Sequence, residues 1–145
     1  MTLTRTLATA CSLAVLLMTS RPDAQTPPPA PASKTTAGSR TFEMRTYYAH
    51  PGKAEDLHTR FRDHTSKLFK KHGMDIVGYW VPNDKPDVLV YILAYPSKAS
   101  ADASWKGFRE DPEWQKARAA SEVNGPLVAK VESSWLQSTD YSPIR

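Results

Sequence analysis

The chain has 145 residues, which as a prior suits one domain. Most of its formal net charge of +4 sits at the front: residues 1–40 hold four Lys/Arg against one Asp, and the rest hold fifteen against fourteen. The body is therefore almost neutral, and the single cysteine, Cys11, precedes it, which excludes a nucleic-acid footprint, a disulfide, a thiolate metal site and a cysteine nucleophile from the body.

Arg5 and the apolar run Leu7–Met18 read as a signal peptide spanning residues 1–24. The run is too short to cross a bilayer comfortably. A periplasmic or secreted location follows, with a mitochondrial presequence or an uncleaved signal anchor as alternatives. The presequence is disfavoured because the core is apolar all round rather than amphipathic. Pro22 stands where a small residue is preferred, so the cleavage bond stays open. Residues 25–40 are rich in proline and predict a disordered, extended tether.

The domain occupies residues 41–145. Thr41–Ala49 alternates as a strand, with Phe42, Met44, Thr46 and Tyr48 on one face and Glu43, Arg45, Tyr47 and Ala49 on the other. His50-Pro51-Gly52 turns the chain, and from Lys53 the period becomes helical through Ala54, Leu57, Phe61, Leu68 and His72. Gly73 stands where a C-terminal cap belongs. Asp75–Pro82 predicts a second strand, joined through Asn83–Asp87 as a hairpin to Val88–Tyr95, an uncharged run expected to be dry on both faces. Ser97 or Ser100 caps the next helix, which carries Ala101, Trp105 and Phe108. Asp111-Pro112-Glu113 restarts it with Trp114, Ala117, Arg118 and Ser121 facing inward. Asn124-Gly125-Pro126 stops that helix, and Leu127–Gln137 is the last strand.

The order βαββαβ predicts an α+β, ferredoxin-like sandwich: a four-stranded antiparallel sheet with helices on one face. On that plan Val88, Val90, Ile92 and Ala94 pack on the helices. Leu89, Tyr91, Leu93 and Tyr95 then face outward, joined by Tyr47 and by Tyr79 and Trp135. Leaving so many large apolar side chains wet forfeits about 1.5–3 kcal/mol each, so a second copy is expected to cover them.

Taken together, Phe42-Glu43-Met44-Arg45-Thr46-Tyr47, Pro51-Gly52-Lys53, His72-Gly73, Val77-Gly78-Tyr79-Trp80, Val90–Tyr95 and Asp111-Pro112-Glu113-Trp114 resemble the NIPSNAP family of the dimeric α+β barrel superfamily. The likeness covers nearly all of Thr41–Gln137. It departs at Leu93, where the family often has an aromatic residue. The resemblance implies a homodimer whose two sheets enclose a barrel, and no settled reaction. Fold relatives include cofactor-free monooxygenases, isomerases, polyketide cyclases and haem enzymes, an analogy that does not fix function.

His64 is the candidate catalytic residue, because an ideal helix places it within the arc of Leu57, Phe61 and Leu68, where it could act as a base beside a tyrosine. The plainer alternative is a helix histidine bonded to a carbonyl or water. Arg45, Tyr47, Tyr79, Tyr91 and Tyr95 are candidate ligand-binding residues, with Arg45 holding a carboxylate or enolate and the tyrosines stacking or hydrogen-bonding. An ion pair of Arg45 with Glu43 or Glu132 is the competing reading. Trp105 and Trp114 read as core anchors. No metal site and no cofactor are expected: His58, His64 and His72 are not spaced to share a cation, although haem on His64 alone stays open. The chain thus reads as a homodimeric binding module for a small apolar or aromatic molecule. A cofactor-independent enzyme using His64 and a tyrosine is the alternative, and an assembly role without a ligand a third.

Overall fold

The computed structural model describes residues 40–144; the signal peptide, and all of the tether except Arg40, lie outside the described residues. The elements are β1 (Thr41–Ala49), α1 (Ala54–Arg60), a π-helical turn (Phe61–Thr65), α2 (Ser66–Lys71), β2 (Asp75–Trp80), β3 (Val88–Tyr95), α3 (Lys98–Glu110), α4 (Pro112–Ser121) and β4 (Val128–Gln137). The strands form one antiparallel sheet in the order β2-β3-β1-β4, the ferredoxin-like arrangement the element order predicts. β1 and β3 keep their predicted bounds, β2 stops short of Pro82, and β4 begins one residue late.

Local chemistry sets the helix ends. Ser97 is extended, and its hydroxyl accepts the Ser100 N–H, so it starts α3. Asp111 ends α3 and caps α4, its carboxylate accepting the Glu113 N–H at 2.8 Å while Pro112 opens the first turn. Gly73 closes α2 at φ +73°, a left-handed conformation that disfavours any side chain.

The two faces of β3 are the reverse of the expectation. Leu89, Tyr91, Leu93 and Tyr95 are buried in the core beneath Leu57, Phe61, Leu68 and Phe69 of the helical layer. Register follows: Arg45 lies opposite Tyr91 and Tyr47 opposite Leu89, so Glu43, Arg45 and Tyr47 also look towards the helices. Val88, Val90, Ile92 and Ala94 lie on the outer face. In a strand a one-residue change of phase exchanges the two faces, and here both sets are apolar, so the strand's own pattern could not choose. The larger rings took the thicker layer, where Tyr91 meets Phe61 and Phe69 at 5.3 and 5.8 Å between centroids. Ser138–Ile144 runs past Phe42, Ile92 and Leu136 on the outer face, leaving a groove of about 300 Å³. Val90 and Ile92 remain half-buried there.

The π-helical turn overturns the expected phase of His64. An i→i+5 turn takes more residues per revolution than an α-turn, so each residue advances less around the axis. Thr65 consequently reaches the interior and is buried, while His64 stays exposed. Two side chains stitch the wide turn: the Thr65 hydroxyl donates to the Arg60 carbonyl at 3.2 Å and the Ser66 hydroxyl to the Phe61 carbonyl at 2.8 Å. Ser66 also meets the Tyr79 hydroxyl at 2.9 Å, tying the helix to β2.

Candidate functional site

A cleft of about 780 Å³ opens between the helical layer and the β1–β4 side of the sheet. It exists because the helices do not cover β4, whose helix-facing Val131 and Trp135 are exposed. Glu43, Arg45 and Tyr47 of β1 line its floor. Trp105 and Arg109 of α3 and Trp114 and Arg118 of α4 line its walls, with Arg60, Phe61 and Thr65 at the inner end. Spacing explains the walls, because residues four apart share one helix face.

Glu43 organises the floor. Its Oε1 accepts Arg45 Nη1 and the Ser133 hydroxyl, both at 2.7 Å, and its Oε2 accepts Trp105 Nε1 at 2.6 Å and the Tyr95 hydroxyl at 3.2 Å. Burial raises the carboxyl pKa, but the bonds from Ser133, Arg45 and Trp105 and the Arg45 charge outweigh it and hold the group below its ordinary value. Arg45 lies over the Trp105 ring at 4.5 Å and near the Tyr47 ring at 5.6 Å. Burial opposes its charge, yet Tyr47, Tyr91 and Glu43 keep it protonated well above the usual range. Its Nε is buried without a hydrogen-bond partner.

Arg60 is the second cation of the inner wall and is only 4% exposed. Its Nη1 donates to Glu122 at 2.8 Å and to the Ser121 hydroxyl at 3.2 Å, and its guanidinium lies 5.3 Å from the Trp114 ring centre. Its Nε, like that of Arg45, reaches no acceptor. An aromatic hollow with convergent donors of this kind is equipped to take a small molecule, stacking it on tryptophan and anchoring it through charge. Among the described residues no group of three or more His, Cys, Asp or Glu side chains is placed to hold a metal ion.

The NIPSNAP family model matches residues 42–143. The chain belongs to the NIPSNAP family. Solved structures agree on the fold. A NIPSNAP family protein of unknown function from Agrobacterium tumefaciens is 21% identical with a TM-score of 0.67, covering 76% of this chain and 97% of its own. A second from the same organism is 23% identical with a TM-score of 0.65, covering 73% and 99%. A protein from Chloroflexus aurantiacus described as a candidate antibiotic biosynthesis monooxygenase is 20% identical with a TM-score of 0.52, covering 74% and 100%. Among curated proteins none matches.

Of the residues singled out from the sequence, this NIPSNAP domain brings Arg45 and Tyr47 into the cleft. Tyr91 and Tyr95 are sealed in the core. Burial pushes both hydroxyls well above their ordinary pKa, with Tyr47 adding to the effect at Tyr91 and Glu43 at Tyr95. The Tyr91 hydroxyl has no hydrogen-bond partner of normal geometry. Tyr79 is half-buried, packs its ring on Phe61 and Tyr91, and does not line the cleft; burial raises its pKa and Ser66 offsets part of that rise. His64 is exposed and lines neither cavity. The anticipated Arg45–Glu43 pair is present. Sequence reasoning missed Arg60 and cast Trp105 and Trp114 only as anchors. One signal was available: Trp105 and Arg109, and again Trp114 and Arg118, repeat Trp-x-x-x-Arg on successive helices.

Proposed function

We propose that this NIPSNAP domain binds a small, largely aromatic molecule in the cleft between β1, β4 and the helices, and that it does so as a homodimer. The observation that carries the reading is the cleft itself. Its volume of about 780 Å³ falls within the roughly 300–1,000 Å³ typical of ligand sites, and its walls combine tryptophans with two incompletely bonded guanidinium groups. Binding is favoured over catalysis because no histidine lines the cleft and His64 is exposed. Native mass spectrometry of protein purified from its own source tests this: a bound mass released on denaturation supports it. Absence of such a mass, with no tryptophan fluorescence response to aromatic probes, refutes it.

The homodimer reading moves to the outer face, where half-buried Val90 and Ile92 and exposed Trp80 and Leu136 leave apolar surface that a second sheet could cover. Sedimentation of the domain at micromolar concentration as a folded monomer would overturn it. Export is proposed from the leader; cell fractionation with N-terminal sequencing of the mature chain tests that.

A further inference from the structure

Charges around the cleft do not cancel evenly. Five cationic and three anionic side chains line it, so the excess can be traced pair by pair. Glu43 is taken by Arg45, Asp102 pairs with Lys98, and Lys130 pairs with Glu132. At the inner end one carboxylate, Glu122, serves both Arg60 at 2.8 Å and Arg118 at 3.1 Å. Arg109, in the same lining, has no ion-pair partner among the described residues. Two guanidinium groups thus share a single carboxylate, and a third, Arg109, has none.

Arg60 adds a second, independent observation. It is almost wholly buried, and its Nε finds no acceptor although Nη1 is fully used. A buried charged donor left without a partner is costly and rare in native proteins. Trp114 lies against Arg60, the guanidinium carbon 5.3 Å from the ring centre. A planar carboxylate matches a guanidinium group as a two-bond fork.

We propose that the ligand is an aromatic carboxylic acid, its carboxylate seated at Arg60, Arg118 and Arg109 and its ring against the aromatic wall that Trp105, Phe108 and Trp114 build by packing on one another. This rests on the cleft reading and adds the chemical class and the seat of the charge. Arg45, the residue the sequence nominated for that task, has the carboxylate of Glu43 to itself, whereas Arg60 and Arg118 divide that of Glu122.

The test compares three probes of one ring system on the full chain by isothermal titration calorimetry: naphthalene-2-carboxylate, naphthalene-2-methanol and 2-naphthyl phosphate. The carboxylate is expected to bind about tenfold more tightly than the alcohol, the value of one charge-assisted contact. Arg109→Gln and Arg118→Gln alter exposed side chains, and each should reduce the carboxylate-over-alcohol ratio severalfold, with far-ultraviolet circular dichroism confirming the fold. Lys85→Gln, in the β2–β3 turn away from the cleft, controls for net charge and should leave the ratio unchanged. Equal binding of carboxylate and alcohol overturns the anion seat while the cleft reading survives. Preference for the phosphate overturns the assigned class. If no probe binds, the cleft reading falls and takes the seat with it.

Discussion

Replacing Glu43 with glutamine removes one negative charge and almost no volume. In the folded protein this carboxylate accepts four hydrogen bonds, from Arg45, Ser133, Trp105 and Tyr95, and is only 2% exposed. Glutamine offers one acceptor oxygen, and its amide nitrogen would point a donor at other donors. Arg45, whose side chain is 20% exposed, would also lose its counter-ion. Breaking one side of a buried ion pair costs about 3–5 kcal/mol, and we expect Glu43→Gln to lower unfolding stability by that much. Equilibrium urea denaturation at pH 7 reads the change, with the slope checking that unfolding remains two-state. The pH dependence supplies a second signature. Because folding lowers the Glu43 pKa, its contribution is present above the unfolded value, near 4.5, and is lost as pH falls through the lower folded value. The gap between wild type and variant should therefore narrow on acidification. A loss below about 1 kcal/mol, or a gap independent of pH, would show that the cage does not stabilise the fold as described.

Tyr91→Phe removes a buried hydroxyl that lies near Tyr47 but makes no hydrogen bond of normal geometry, so stability should hold or rise by up to about 1 kcal/mol; a clear loss in urea denaturation would show that the approach to Tyr47 is a stabilising bond. Gly73→Ala places a side chain at φ +73° and should cost about 1–2 kcal/mol by the same method. Asp111→Ala removes the cap of α4 together with the acceptor for His72 Nε2 at 2.6 Å and Lys71 Nζ at 3.0 Å. The His72 and Lys71 bonds hold the Asp111 carboxyl well below the usual range, so its contribution is present above the unfolded value and fades as pH falls towards the folded one. The thermal midpoint of the variant should accordingly fall at pH 7 and fall less at pH 3; an equal drop at both would contradict the assignment.

Much of the architecture was written in local pattern. Alternation fixed β1, turn residues bounded β3, and Ser97, Asp111 and Gly73 marked helix ends through capping chemistry that acts within a few residues. The direction in which β3 presents its rings was not legible. Val88–Tyr95 is apolar on both sides, and only the depth of the helical layer distinguishes them. The phase of His64 was not legible for a different reason: a π-turn alters helical phase, and the side chains that stitch it, Thr65 and Ser66, are ordinary helix residues in sequence. The cleft was half-legible. Arg45 and Tyr47 followed from strand alternation, whereas Arg60 belongs to the site through partners at Ser121 and Glu122, some sixty positions away, where no local period reaches.

β1 is both the first element of the domain to be synthesised and an interior strand of the sheet. Its neighbours are β3 and β4, and β4 is the last element of the domain. The Ser133–Glu43 bond closes 90 positions of chain, and Tyr48–Glu132 closes 84. Such pairing is entropically expensive to reach and favours slow folding. While the ribosome still holds the last strand, β1 lacks one of its two ladders and Glu43 lacks the hydroxyl of Ser133. Completion of the sheet must therefore wait for β4, leaving an interval in which most of the domain exists while one edge of β1 is still open to another strand.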